Sequence, residues 1–265
     1  MITLISGNYR YPLKPTIFPD GTSQVWKLPE YVVRSSSVNV DWRFENEREI
    51  VDLLSLSKLL NNQLNTLHVP YLPYARQDKE VSNASTFNLE VFADLINSLK
   101  LSHVTSVDVH NPTKTENLID NLVNIKVDDF HYEVVKATRP DYLVFPDAGA
   151  HDRYRGSIVD INLPSIVCDK TRDQLTGQIT GHKIVHQDGS LTSAKRFLIV
   201  DDLCDGGATF ISVARMLRDV NPDVKVYLCV THGLFSKGRD TLLANGIDGV
   251  YTTDSLTKNE DGYKV

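Results

Sequence analysis

The sequence predicts an α/β fold of mostly parallel sheets flanked by helices, arranged in two halves. Short apolar, β-rich runs alternate along the chain with stretches of helical periodicity, as in parallel strands connected by helices. The 265 residues, 41% of them hydrophobic and 23% charged, suffice for one large core or two modest ones. A polar stretch from Asn124 to Phe130 and the helix-breaking pair Arg139-Pro140 separate the halves, which predicts domains 1–130 and 131–265.

The predicted strands follow from short apolar or alternating runs bounded by turn residues. They lie near residues 2–6, 31–35, 66–71, 103–109, 141–145, 165–168, 196–201, 224–230 and 247–251. The predicted helices follow from apolar residues that repeat at helical spacing, and they lie near residues 45–63, 86–99, 112–120, 152–161, 207–219 and 236–245. The first helix has the clearest pattern, because Ile50, Leu53 and Leu54 share one stripe and Glu45 lies in its first turn.

Composition and charge argue against several classes of protein. The formal net charge of −6, without a run of Lys and Arg, argues against a general nucleic-acid-binding surface. No apolar stretch approaches the ~18 residues of a membrane span, and the N-terminus lacks the pattern of a signal peptide. Cys168, Cys204 and Cys229 lie in or beside apolar runs without Cys-x-x-Cys spacing, as expected of reduced core residues. We therefore expect a cytoplasmic protein that binds neither nucleic acid nor membrane.

The most informative segment is 196–209, where an apolar strand leads into two carboxylates and a glycine-rich turn. Asp201 and Asp202 follow the apolar run, at the carboxyl end of the strand, where open α/β sheets bind ligands. Residues 206–208 have small or no side chains, so their N–H groups are accessible beside the positive end of the next helix. A 5′-phosphate fits this loop and ribose hydroxyls fit the aspartates, although an Asp-capped strand-to-helix turn explains the residues equally well.

Two loops after strands of the first half carry polar groups. The stretch 70–79 contains Arg76 and Gln77 between prolines and further polar residues. Arg76 suits a phosphate or a nucleobase, but the same loop is also compatible with a solvated surface. His110 follows an alternating strand, where an imidazole is more often a hydrogen-bonded structural residue than a metal ligand.

Two loops of the second half add charged groups. Asp147 begins a tight turn after an apolar strand, so it is either a site carboxylate or a helix cap. Lys170 and Arg172 follow a short strand and precede a Gly- and Thr-rich segment that extends to Gly181. This arrangement is typical of a mobile cationic flap that closes over phosphates during their transfer.

Taken in order, these motifs resemble the ribose-phosphate pyrophosphokinase family over nearly the whole chain. The resemblance is carried by Pro73-Tyr-Ala-Arg-Gln-Asp78, Asp108-Val-His110, Pro146-Asp-Ala-Gly149, Asp169-Lys-Thr-Arg172, the Asp201-Asp202 loop and Val230-Thr-His-Gly-Leu-Phe-Ser236. Each motif alone is weak, whereas their common order is specific. The resemblance implies two tandem phosphoribosyltransferase-like domains. It also implies transfer of the β,γ-diphosphate of ATP to the anomeric hydroxyl of a 5-phosphorylated ribose.

The resemblance further assigns the ATP side of the site. Arg76 and Gln77 would contact ATP, and Phe18 with Asp20 would hold adenine, contributed by a neighbouring subunit. The protein would then be a homo-oligomer, either a dimer or a hexamer. Phosphoryl transfer needs little covalent help from the protein, and the absence of an obvious general base agrees with this chemistry.

The metal and sugar sides of the site are assigned in the same way. His110 and Asp147 would organise the cofactor Mg²⁺, and Lys170 with Arg172 would neutralise the transferring diphosphate. The ribose and its 5′-phosphate would be bound by Asp201, Asp202, Asp205, Gly206, Gly207, Ala208 and Thr209.

Two departures from the family pattern leave the acceptor open. Thr22 follows Asp20-Gly21 where the family has glutamate, and Gly206 replaces the threonine of the family's sugar-phosphate loop. The change at Gly206 removes a hydroxyl donor and gains space. We favour ribose 5-phosphate, but added space would also admit ADP-ribose, which would link the enzyme to NAD metabolism.

Proteins of two other classes use parts of the same pattern. A phosphoribosyltransferase would use the Asp201-Asp202 loop to expel diphosphate, but it would not need the Arg-Gln-Asp loop of the N-terminal half. A non-catalytic regulatory homologue commonly loses the cationic flap, whereas this chain retains Lys170 and Arg172. We therefore expect an active enzyme.

Overall fold

The computed structural model describes residues 1–80, 82–156, 163–172, 179–259 and 261–265. The chain forms two compact units, each built on one six-stranded sheet whose strands are connected mostly by helices. Unit 1 comprises residues 1–126, 255–258 and 265, and unit 2 comprises residues 127–254 and 259–264. Most neighbouring strands of both sheets run parallel, so the predicted α/β fold of mostly parallel sheets is confirmed.

Unit 1 contains a sheet in the order β2-β1-β5-β6-β7-β8 and a separate small hairpin, β3-β4. Its elements are β1 Ile2–Ser6, β2 Tyr9–Pro12, β3 Thr16–Ile17, β4 Ser23–Gln24, α1 Glu30–Val33, β5 Val38–Trp42, α2 Arg48–Leu59, β6 Leu64–His68, α3 Asn88–Asn97, β7 His103–Val107, α4 Pro112–Leu118 and β8 Leu122–Ile125. Strands β5 to β8 are parallel, and β1 pairs antiparallel with both β2 and β5.

Unit 2 contains a sheet in the order β11-β10-β9-β12-β13-β14. Its elements are α5 Asp128–Thr138, β9 Tyr142–Phe145, α6 Ala148–Tyr154, β10 Ser165–Arg172, β11 Ile179–Gln187, β12 Arg196–Cys204, α7 Ala208–Val220, β13 Lys225–Gly233, α8 Arg239–Leu243 and β14 Gly249–Thr252. All neighbours are parallel except the hairpin β10–β11. None of the helices in the described ranges is long and apolar enough to cross a bilayer.

The central strands of unit 2 are buried because both faces of a parallel sheet are covered by other elements. Phe197, Leu198, Ile199 and Val200 of β12 are all buried, which matches their continuous apolar run. Three buried cysteines are free, as predicted, and they are Cys168, Cys204 and Cys229. The buried interior therefore fixes β12 at the centre of the sheet, with its carboxyl end free to present polar groups.

The strand predicted at 31–35 is wrong. The apolar Tyr31-Val32-Val33 run belongs to the short helix α1, and the strand that follows, β5, was not predicted. In β5 the side chains of Val38, Val40 and Trp42 are buried. The intervening residues are less buried, so β5 shows the alternation of a strand with unequal faces.

The polar stretch that was expected to separate the halves contains regular structure. Helix α5 begins at Asp128 and buries Phe130, His131, Val134 and Val135 on one face. The helix predicted at 152–161 begins earlier, at Ala148, because Asp147 caps it. Residues 157–161 of that predicted helix lie outside the described residues.

The strand predicted at 165–168 extends to Arg172 and pairs antiparallel with β11. Lys170 and Arg172 therefore lie within a strand of a hairpin, not in a loop after a short strand. The Arg172 side chain and residues 173–178 fall outside the described part of the chain. The described part of the predicted cationic flap is thus the stem of a β-hairpin.

Candidate active site

The candidate site of unit 2 lies where parallel strands β9, β12 and β13 end. Asp201 and Asp202 do not follow β12 as predicted but lie inside it, because β12 continues to Cys204 through pairing with β13. Adjacent residues of a strand point to opposite faces, so the two carboxylates face different sides of the sheet. This separation gives them different environments.

Asp202 is buried and faces an arginine of α6. Its side chain is 6% exposed, and Arg153 Nη1 lies 3.6 Å from Asp202 Oδ2. The guanidinium also lies 5.3 Å from the ring centroid of Tyr154. A charge removed from water needs such compensation, so Arg153 positions and neutralises Asp202. Sequence reasoning missed Arg153, which has no motif of its own within the predicted helix.

Asp201 is held in an electrostatically unfavourable position. Burial raises its pKa well above the usual range, and the nearby carboxylates of Asp202 and Asp147 raise it further. The backbone N–H of Asp202 donates to Asp201 Oδ1 at 2.9 Å, which partly offsets the effect. Excess negative charge favours binding of hydroxyl donors or a cation at this position.

Asp147 combines the two roles that the sequence left open. One oxygen, Oδ1, caps α6 by accepting a hydrogen bond from Ala150 N at 3.0 Å. The other, Oδ2, lies 3.5 Å from Lys170 Nζ. The structure therefore places the predicted residues Asp147 and Lys170 together, with Lys170 on the hairpin β10–β11.

A histidine that sequence reasoning missed lies opposite Lys170. His182 of β11 pairs with Lys170 of β10, and its Nδ1 lies 3.0 Å from Ser212 Oγ on α7. Burial lowers the pKa of His182, and the positive charge of Lys170 lowers it further. The hydrogen-bond contact of His182 with Ser212 links the hairpin to α7. His182 follows the predicted flap segment directly and belongs to no motif, so the sequence provided no signal.

The loop between β12 and α7, which the sequence predicts to bind a phosphate, is built around Gly207. Gly207 is the N-cap of α7 and has φ of +80°, a left-handed conformation that favours glycine. A Cβ on Gly207 would lie 2.5 Å from Leu242 Cδ2, so the position also excludes a side chain. The first N–H groups of α7 have no partners within the helix, and the helix dipole makes this end positive.

The space predicted at Gly206 is bounded by a lysine of the next loop. A Cβ on Gly206 would lie 3.4 Å from Lys237 Cε and 3.5 Å from Lys237 Cδ. Asp205 and Ala208 are exposed, and Thr209 is half-buried in the first turn of α7. The predicted residues 205–209 therefore form one continuous loop beside a lysine side chain.

In unit 1, the loops that contain Arg76 and His110 are connected by hydrogen bonds. Asn111 Nδ2 donates to Asp78 Oδ2 at 2.8 Å, and Lys114 Nζ donates to Asp78 O at 2.5 Å. Arg76 is exposed and His110 is half-buried. The predicted ATP-contacting loop is thus fixed to the loop after β7.

The backbone between β7 and α4 is strained at one position. Asp108 has φ of +47°, which a residue with a side chain rarely adopts. Asn124 Oδ1 accepts from Val109 N at 3.0 Å and holds the following residue. The turn therefore has a defined conformation two residues before His110.

Phe18 and Asp20 lie at the tip of hairpin β3–β4. Phe18 is 38% exposed, and the backbone N–H of Phe18 donates to Thr22 O at 2.8 Å. Thr22 donates to Asp20 Oδ1 from both its N–H and its hydroxyl, and these bonds lower the pKa of Asp20. Thr22, the first departure from the family pattern, therefore orders this loop.

The carboxylates of the site fit a bound Mg²⁺ only partly. Asp147 supplies oxygen atoms, the donors that Mg²⁺ prefers, and the carboxylate of Asp201 lies close enough to interact with it electrostatically. Within the described ranges, no group of three or more His, Cys, Asp or Glu residues is arranged to hold a metal. Substrate phosphates and water would therefore supply most of the ligands.

Comparisons with known proteins agree with the fold and the motifs. The model of the phosphoribosyl transferase domain matches residues 118–260. The ribose-phosphate pyrophosphokinase of Mycoplasmopsis pulmonis is 29% identical, over 94% of this chain and 78% of that protein. The ribose-phosphate pyrophosphokinase of Sulfurisphaera tokodaii is 25% identical, over 92% of this chain and 84% of that protein. The resemblance inferred from the motifs is therefore confirmed.

A solved structure supports the fold over nearly the whole chain. The crystal structure of phosphoribosylpyrophosphate synthetase from Mycobacterium smegmatis matches with a TM-score of 0.76 at 21% sequence identity. The match covers 96% of this chain and 83% of that chain. At this level of identity, the likeness supports the fold of the chain.

Proposed function

We propose that this chain, which belongs to the phosphoribosyl transferase domain family, transfers diphosphate from ATP to ribose 5-phosphate. The observation that carries the proposal is the grouping of charged side chains on β10, on β12 and after β9. Lys170 and Asp147 form an ion pair there, and Asp201 and Asp202 lie on β12 just before a loop suited to a phosphate. The names of the similar proteins, cited above, support the same reaction.

The proposed reaction joins the sugar to the β-phosphorus of ATP. The anomeric oxygen of ribose 5-phosphate forms a bond to this phosphorus, and the bond from phosphorus to the α,β-bridging oxygen breaks. AMP leaves with the bonding electron pair, and the hydroxyl proton passes to solvent. The products are AMP and a ribose that carries diphosphate at carbon 1 and phosphate at carbon 5.

Five charged residues of the candidate site in unit 2 have distinct parts in this scheme. Asp201 accepts hydrogen bonds from ribose hydroxyls, and Arg153 holds Asp202 in place. Lys170 stabilises the charge that develops on the diphosphate during transfer, which is the largest contribution a protein makes to phosphoryl transfer. Mg²⁺ bound with ATP beside Asp147 would neutralise phosphate oxygens.

The ATP side of the proposal rests on unit 1. Arg76 is exposed on an anchored loop and suits the ATP phosphates, and Gln77 lies beside it. The exposed tip with Phe18 and Asp20 is suited to hold adenine for a neighbouring subunit of an oligomer. Binding measurements with ATP analogues would test these roles.

Product analysis tests the proposed function directly. The protein is incubated with ATP, Mg²⁺ and either ribose 5-phosphate or ADP-ribose, and products are identified by mass spectrometry. We expect AMP and a 1-diphosphorylated ribose 5-phosphate, with loss of activity when Mg²⁺ is chelated and recovery when it is restored. A preference for ADP-ribose beyond ~100-fold in kcat/KM would overturn the proposed acceptor. Use of neither compound would overturn the diphosphate-transfer proposal.

A further inference from the structure

We propose that Lys237 binds the 5′-phosphate of the sugar and thereby selects a terminal phosphate. This inference rests on the proposed function, because it assigns the occupant of the loop 205–209. It concerns a residue outside every motif that the sequence analysis used. Three observations on unit 2 carry it: the position of the lysine stem, the anchoring of its backbone, and the charge of its surroundings.

The stem of Lys237 lies along Gly206. The position that a Cβ of Gly206 would take is 3.4 Å from Lys237 Cε, 3.5 Å from Cδ and 3.7 Å from Cγ. These are ordinary contact distances, so the lysine methylenes occupy the side of the loop left open by the missing side chain. The ammonium is one bond beyond Cε, the stem carbon nearest to Gly206.

The turn that contains Lys237 is anchored to the end of β12 by hydrogen bonds. The carbonyl of Cys204, the last residue of β12, accepts from Leu234 N at 2.9 Å and from Phe235 N at 3.1 Å. The turn is closed by Gly238 N, which donates to Phe235 O at 2.8 Å. The hydroxyl of Thr241 donates to Lys237 O at 2.6 Å. The lysine is therefore presented by an ordered turn.

Lys237 forms no ion pair with a residue that the structure describes. Among the residues that the structure describes, no carboxylate oxygen lies within 4.0 Å of Lys237 Nζ. The positive end of α7 begins at the neighbouring Gly207. Two positive groups at one loop favour an anion, and an ammonium forms the stronger, charge-assisted type of hydrogen bond with phosphate.

This arrangement explains how the loop functions without a threonine at position 206. Lys237 supplies a donor where the family loop has a hydroxyl, and its stem fills part of the space that Gly206 leaves. A terminal phosphate carries up to two negative charges, whereas each phosphate of the diphosphate in ADP-ribose carries one. The lysine therefore favours ribose 5-phosphate as the acceptor.

The test compares Lys237→Met with Lys195→Met. Lys195 is a suitable control because it is exposed and immediately precedes β12, at the end opposite to the phosphate loop. We expect Lys237→Met to raise the KM for ribose 5-phosphate about 10- to 100-fold. The KM for ATP and kcat should change less than about threefold. Lys237→Arg, which keeps the charge, should recover most of the loss, and Lys195→Met should behave like the wild type.

Calorimetric titration with ribose 5-phosphate separates this inference from the proposed function. Binding that weakens in Lys237→Met but not in Lys195→Met supports the lysine assignment, even if the wild type transfers no diphosphate. Normal transfer by Lys237→Met, with a KM within about twofold of the control, overturns the lysine assignment and leaves the proposed function intact. A wild type that neither binds nor uses ribose 5-phosphate overturns both.

Discussion

Replacing Gly207 with alanine should destabilise unit 2 strongly. The φ of +80° costs a residue with a Cβ about 1–2 kcal/mol. The new methyl would lie 2.5 Å from Leu242 Cδ2, and overpacking of this kind costs about 1–3 kcal/mol. Leu242 is buried, so it has little room to move away. Together these contributions predict a loss of about 2–5 kcal/mol.

The neighbouring Gly206→Ala variant is the matched control. Gly206 has no positive φ, and its nearest neighbour is the flexible stem of Lys237 at 3.4 Å. An alanine that fits the folded conformation restricts the unfolded chain, so the control should be unchanged or more stable by up to about 1 kcal/mol.

Urea denaturation followed by circular dichroism measures both effects. With a slope of about 2–3 kcal/mol/M, Gly207→Ala should lower the urea midpoint of unit 2 by about 0.7–2.5 M, while Gly206→Ala should not lower it. The double variant Gly207→Ala/Leu242→Ala should lose less stability than the sum of the losses of the two single variants, because Leu242→Ala removes the side chain that the new methyl would contact. Equal midpoints for Gly207→Ala and Gly206→Ala would refute the reasoning.

Three further predictions concern the charged residues of the site. Lys170→Met should lower kcat about 100-fold or more with little change in Tm, because its ion pair with Asp147 is partly exposed; near-normal turnover contradicts its role. Arg153→Met should lower the free energy of unfolding, measured by urea denaturation, by about 3–5 kcal/mol, because the buried carboxylate of Asp202 loses its ion pair. Adding Asp202→Asn should restore part of the lost stability. The pKa of Asp201 is raised in the folded state, so wild-type stability falls as pH rises from about 4 through that pKa. Asp201→Asn should therefore have the higher Tm at pH 8 but not at pH 4, and a Tm difference that is independent of pH would contradict this.

The central parallel strands of unit 2 could be predicted because strands that are buried on both faces consist of continuous apolar runs. The run 197–200 and the run 142–145 each form a buried strand. The end of β12 was predicted too early, because Asp201 and Asp202 have low strand propensity but are held by pairing with β13. Tertiary pairing thus overrode the local signal.

Other parts of the fold depended on partners that are distant in sequence. Tyr31-Val32-Val33 has high strand propensity, yet it forms α1, and β11 was hidden in polar sequence because it pairs with only β10. The contact of Lys237 with Gly206 joins loops that follow two different strands. The pattern of residues within one segment cannot reveal a contact between two loops, so this part of the candidate site could be found only in the structure.

The backbone carbonyl of Cys204, which accepts two hydrogen bonds, restricts the lengths that two loops of unit 2 can have. The carbonyl binds two amides of the segment after β13, so any insertion or deletion between Gly233 and Gly238 also displaces the loop after β12. Homologous chains should therefore change the lengths of these two loops together or not at all. An engineer who transplants the glycine-rich loop into another parallel sheet must carry over the turn 234–238 as its support.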